Sequence, residues 1–162
     1  MLVLDDRVIR SSFVNATRKE LSELALPDLA GIDWDRLDYL GWRDPRLAKR
    51  AYIVVPLADG PVGIVLKQAE ASPRTRAQCS WCQDIQLPND VVLYGARRSG
   101  AAGRNGNTVG TLICANFECS TNVRRLPPSA YLGFDTEAAR DRRIETLRIR
   151  SGDFATGIVE GS

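Results

Sequence analysis

Hydrophobic and polar positions along this chain fall into segments of different period. In the first 50 residues the apolar positions are short and interrupted, and they read as short helices. Thr17 and Glu20 have the spacing of a capping box ahead of Leu21, Leu24 and Ala25, with Pro27 as the stop. Asp33 is placed to cap a second short helix over Trp34, Leu37 and Leu40, ending at Gly41, with Trp34, Leu37 and Trp42 in the core. The period then shortens. AYIVVPL and PVGIVLK flank Ala58-Asp59-Gly60, and two β-branched apolar runs about a turn signal predict a hairpin.

A polar stretch from Glu70 to Gln78, broken by Ser72-Pro73, sets a boundary near residue 72. Beyond it NDVVLYGA and TVGTLIC read as two strands joined by the glycine-rich RRSGAAGRNGN. STNVRRL reads as a helix stopped by Pro127 and Pro128. Asp135 caps a final helix running to about Leu147, and the last dozen residues, without strong periodicity, are expected to be partly disordered. The predicted class is α+β. An N-terminal helical and hairpin region spans 1–72, and a second region with a C-terminal helix spans 73–162.

No run approaches the roughly 18 apolar residues of a membrane span, and the charged start MLVLDDRVIR lacks a secretory apolar core, so a cytoplasmic location is expected. In that reducing compartment four cysteines within one third of the chain read as metal ligands before disulfides. Cys79-Ser-Trp-Cys82 is a C-x2-C knuckle, and Cys114 and Cys119 follow the return strand and open a helix. A redox dithiol shares the first spacing but leaves the second pair unexplained. Knuckle, hairpin and helix carrying four thiolates describe a treble-clef zinc finger. Four cysteines close the tetrahedron, which predicts one structural zinc ion and no catalytic one.

Charge is placed rather than abundant. The net charge is +2, yet residues 74–125 hold seven Arg against three acids. Part of this excess offsets a tetrathiolate zinc of formal charge −2. The chain has no histidine, which removes His-based triads, His acid–base chemistry and His-containing zinc sites. Asp33, Asp35 and Asp38 form the one dense acidic group and read as cap and surface. No nucleophile with a base is evident, so an enzyme is not expected. The glycines at 100, 103, 106 and 110 lie between strands with no Gly-Lys-Ser/Thr after them, so no nucleotide cofactor is expected.

CSWCQD, followed by VVLYGARRSGAAGRNGNTVGTLICANFECS, resembles the C-terminal treble-clef domain of the elongation factor G-binding proteins of the fusidic-acid-resistance type. SSFVNATRKE and LALPDL resemble shorter actinobacterial members of that group. The resemblance implies that zinc held by Cys79, Cys82, Cys114 and Cys119 braces a surface that docks on elongation factor G, the translocation GTPase, and helps release it from the ribosome. Binding would shift the partner's conformational populations without breaking a bond. In resistance proteins that surface uses aromatic and Lys side chains shortly before the third ligand, where this chain has Asn105, Gly106, Asn107 and Thr108.

Read from residues alone, the contact candidates are Arg97, Arg98 and Arg104 in the hairpin connection, Arg124 and Arg125 after the second cysteine pair, and Trp81 inside the knuckle. Each has a plain alternative. The three loop arginines fit a solvated loop equally well, the later pair leans towards a structural role, and Trp81 leans towards packing beside the metal. An alternative function, a zinc-dependent RNA- or ribosome-binding module, requires the arginine loop and Trp81 to share one exposed face.

Overall fold

The computed structural model describes residues 1–70, 77–84 and 90–160. The expected break at Ser72-Pro73 lies outside them. One antiparallel sheet runs in the order β1-β2-β3-β4-β5. Its strands are β1 (Leu40–Arg43), β2 (Arg50–Leu57), β3 (Gly60–Gln68), β4 (Val91–Arg97) and β5 (Thr108–Cys114). The β2–β3 hairpin closes with Leu57 opposite Gly60, and Gly60 takes a φ of +126°, a conformation that favours glycine.

Strand β2 reads as a continuous apolar run because both of its faces are covered. Ile53 and Val55 point into a core with Ile64, Leu66 and the cysteines. Tyr52 and Val54 point into a second core with Ile9, Leu24, Trp34, Leu40 and Trp42. The second core is roofed by α1 (Asp6–Ser12), which supplies Ile9, and by Leu24 just beyond α2 (Arg18–Ser22). The Thr17–Glu20 capping box is formed in both directions.

Strands β3 and β4 pair only at Lys67 with Gly95 and Gln68 with Tyr94. Where they diverge, the buried side chain of Asn15 fills the gap: Nδ2 donates to the Val65 and Arg97 carbonyls, and Oδ1 accepts from the Val65 amide. A single amide side chain thus stands in for missing ladder bonds between the two hairpins.

The 34–41 segment differs from the expected helix. Leu40 and Gly41 lie in β1, not in a helix over Trp34, where only a short 3-10 turn, Trp34–Arg36, forms. Gly41 is no helix stop. A Cβ there would meet the Phe117 ring at 2.5 Å, so glycine permits the zinc-side loop to close onto the sheet.

The final helix, α5 (Thr136–Glu160), starts where Asp135 accepts from the Ala138 amide but runs well past Leu147, into the stretch expected to be partly disordered, whose last two residues lie outside the described ones. Leu147, Ser151, Ala155 and Ile158 form its buried stripe. The Ser151 hydroxyl returns to the Leu147 carbonyl, so a polar residue enters the core satisfied. The far end is capped from the β4–β5 connection: Ser99 N donates to the Ile158 carbonyl, Ser99 Oγ to that of Val159, and Arg98 to that of Gly157. That connection carries its own short helix, α3 (Gly100–Arg104).

Candidate metal centre

The four cysteine sulfurs are brought together by three separate pieces of backbone. Cys79 and Cys82 stand on the knuckle, Cys114 ends β5, and Cys119 begins α4 (Cys119–Val123). The knuckle is fixed against the sheet by Ser80 N, which donates to the Leu112 carbonyl at 2.7 Å. Both chelating loops turn through left-handed non-glycine residues, Gln83 (φ +54°) and Phe117 (φ +63°). Such a conformation costs roughly 1–2 kcal/mol per residue. The Phe117 ring stacks on Tyr94 at 5.5 Å, and this packing offsets the cost locally.

All four Sγ atoms lie within 4.8 Å of one another and every one of these cysteines is buried. Cys79 Sγ is 3.6 Å from Cys119 Sγ, and Cys82 Sγ is 3.7 Å from Cys114 Sγ. Sulfurs at about 2.3 Å from a tetrahedral zinc stand about 3.8 Å apart, so the cage already has the ion's dimensions. It is far too open for disulfides, whose S–S bond is about 2.05 Å.

Electrostatics point the same way. Hydrogen bonds from Cys114 and Cys119 push Cys79 well below the usual thiol range, and Cys82 is lowered by the same two partners. Cys119 is pushed well up by Cys114, Cys79 and Cys82. Cys114, although drawn down by Cys119, is raised by Cys79 and Cys82. Four thiols packed this closely cannot all ionise without a cation to share the charge. The donor set therefore fits one divalent soft cation, and the four sulfurs leave no position for water.

The other predicted residues separate into two groups. Trp81 is 3% exposed, packed edge-on against Tyr39 at 5.0 Å and against Phe154 at 5.6 Å, so the structure shows the packing reading and offers no exposed indole face. Arg97 is ion-paired to Glu20 at 2.6 Å, and Arg98 caps α5. Arg124 forks onto Asp38 at 2.5 and 3.2 Å. Arg104 and Arg125 are exposed.

Asp38, read from sequence as surface, is 3% exposed and also accepts from Arg148 Nε at 3.0 Å. It ties the N-terminal region to both α4 and α5. Asn122 and Tyr39 were also not singled out by the sequence, since their relevance comes only from where α4 and the 37–40 segment place them. Asn122 Nδ2 lies 3.7 Å from Cys82 Sγ and 3.6 Å from Cys114 Sγ.

Knuckle, hairpin and helix around a closed tetrathiolate define a structural zinc finger of the treble-clef type. The chain matches the FBP C-terminal treble-clef zinc-finger family over residues 8–158 and belongs to that family. Among solved structures it is similar to the fusidic acid resistance protein FusC, with 24% identity and a TM-score of 0.46. That match covers 66% of this chain and 50% of FusC, so this chain spans about half the length of that protein. No curated protein matches. Among the described residues no helix is long and apolar enough to cross a membrane.

Proposed function

We propose that this chain is a zinc-braced docking protein that binds elongation factor G in the cytoplasm, on the ribosome or free of it, and modulates its release. The observation that carries the reading is the family match, which runs through the zinc site and most of the N-terminal region together. The resemblance of the cysteine-bearing segments to elongation factor G-binding proteins supplies the partner. A metal with four protein sulfurs supports action by binding rather than by catalysis, because its coordination sphere has no place for substrate.

The surface beside the metal suits a protein partner. Leu126, Tyr131 and Leu132 are exposed large apolar side chains. Arg125 and Arg142 stand next to Leu126 and Phe134 around a groove of about 520 Å³ that reaches Cys82. Aromatic and aliphatic anchors set among arginines are the usual composition of a binding hot spot. The alternative of an RNA-binding module needed Trp81 and the loop arginines on one exposed face. Trp81 is in the core, and Arg97 and Arg98 are engaged within the fold.

Calorimetric titration of the zinc-loaded chain with elongation factor G tests the proposal. Saturable binding is expected at both low and moderate salt, because an interface with an apolar centre weakens less than phosphate contacts do. The double change Arg125→Glu with Leu126→Asp is expected to weaken it by roughly tenfold or more. No heat with elongation factor G, alongside RNA binding confined to low salt, would overturn the reading.

A further inference from the structure

A buried thiolate needs hydrogen-bond donors as well as a metal, because donors spread the negative charge that the ion leaves on sulfur. Cys79 Sγ accepts from the Cys82 amide at 3.4 Å. Cys82 and Cys114 share the Asn122 side-chain amide. Among the described residues no such donor is given to Cys119.

Within the same buried cluster is a donor without an acceptor. The Tyr39 hydroxyl is fully buried and makes no hydrogen bond of normal geometry with any described residue. Burial first, and then the sulfurs of Cys119, Cys79 and Cys114, hold this hydroxyl well above its usual pKa, with Cys119 foremost among the three. Its O–H is a donor that shares one buried cluster with the four cysteines. The residue is held there from several directions. Its ring meets Trp81 edge-on, and the preceding Asp38 amide donates to Ser120 Oγ at 3.0 Å. The Asp38 carboxylate is gripped by Arg124 and Arg148.

We infer that Asn122 and Tyr39 are positioning residues for the zinc, Asn122 bridging Cys82 and Cys114 and Tyr39 supplying the donor to Cys119. Each thiolate then has one donor. One of these three donor groups, Tyr39, comes from the N-terminal half of the chain, so that half takes part in holding the metal and is not a separate unit beside it. This inference concerns the metal site alone and stands whether or not elongation factor G is the partner.

Competition with a chromophoric chelator measures zinc affinity in the parent chain, in Tyr39→Phe and in Asn122→Leu. Loss of a donor to a ligand is expected to weaken zinc binding roughly 10- to 100-fold. Cobalt substitution supplies a second readout. The tetrahedral d–d bands should persist in Tyr39→Phe, showing four sulfurs in place, while the sulfur-to-cobalt charge-transfer band moves to lower energy as the thiolate becomes more electron-rich. Because Asn122→Leu alters a buried position in α4, Tyr39→Phe is the deciding variant: it keeps the ring and removes only the hydroxyl. Zinc affinity within about twofold of the parent, with an unmoved charge-transfer band, would reduce Tyr39 to a packing residue and overturn the inference.

Discussion

Cys114→Ser is expected to abolish stoichiometric zinc binding and to unfold the whole described chain, not only its C-terminal half. Structural zinc sites contribute roughly 10–16 kcal/mol of apparent binding free energy at neutral pH, against a total stability of about 5–15 kcal/mol for a domain of this kind. Three sulfurs and a serine hydroxyl hold the ion far less tightly, and the three remaining thiols would be left buried without it. The damage reaches the N-terminal strands because the core is shared. Cys79, Cys82, Cys114 and Cys119 pack in one cluster with Tyr39, Ile53, Val55 and Leu66, and α5 adds Leu147, Ala155 and Ile158 to it. Near-ultraviolet circular dichroism and the emission of Trp34, Trp42 and Trp81 check this. All three tryptophans are buried, two of them outside the metal cluster's own core. Retained zinc with unchanged thermal unfolding would refute the site.

Asp38→Ala is expected to be the most damaging substitution away from the ligands. The carboxylate side chain is 0% exposed and Arg124 is 16% exposed, so removing the acid strands a largely buried guanidinium. Breaking a buried pair from one side costs about 3–5 kcal/mol. The lower end applies here, since Arg124 keeps its bond to the Ser120 carbonyl and the Arg148 partner is half-exposed and contributes little. For a chain of this size about 3 kcal/mol lowers the thermal midpoint by roughly 6–12 °C. Differential scanning calorimetry of the zinc-loaded variant reads it directly. A midpoint within a degree or two of the parent would mean that the three-part clasp is decorative.

What the sequence made legible was local chemistry. The capping box at Thr17, the hairpin about Asp59-Gly60, the strand pair before the second cysteine cluster and the C-x2-C knuckle all depend on residues within a few positions of one another. They formed as expected. The metal site was legible for a different reason: two closely spaced cysteine pairs have few uses other than metal binding at that spacing. What the sequence hid depends on residues far apart. The four-residue β1 was masked by the helix signal at Asp33 and by Gly41, whose missing side chain answers to Phe117, 76 positions later. The last three turns of α5 carry Ser151 and Gly152 where an apolar stripe is sought. They persist because Ser99 and Arg98 cap the end from about 60 residues away. Asp38 looked like surface because its two arginines are 86 and 110 residues distant. Among the contact candidates, Arg97, Arg98 and Arg124 gained intramolecular partners, leaving Arg104 and Arg125 exposed.

One closed tetrathiolate zinc holds the fold together, and X-ray absorption at the zinc edge tests that most directly. The spectrum of the purified chain should fit four sulfur neighbours at about 2.3 Å, with one zinc per chain by mass spectrometry of the native protein. A fit requiring oxygen or nitrogen neighbours, or a chain that folds and binds without metal, would contradict it.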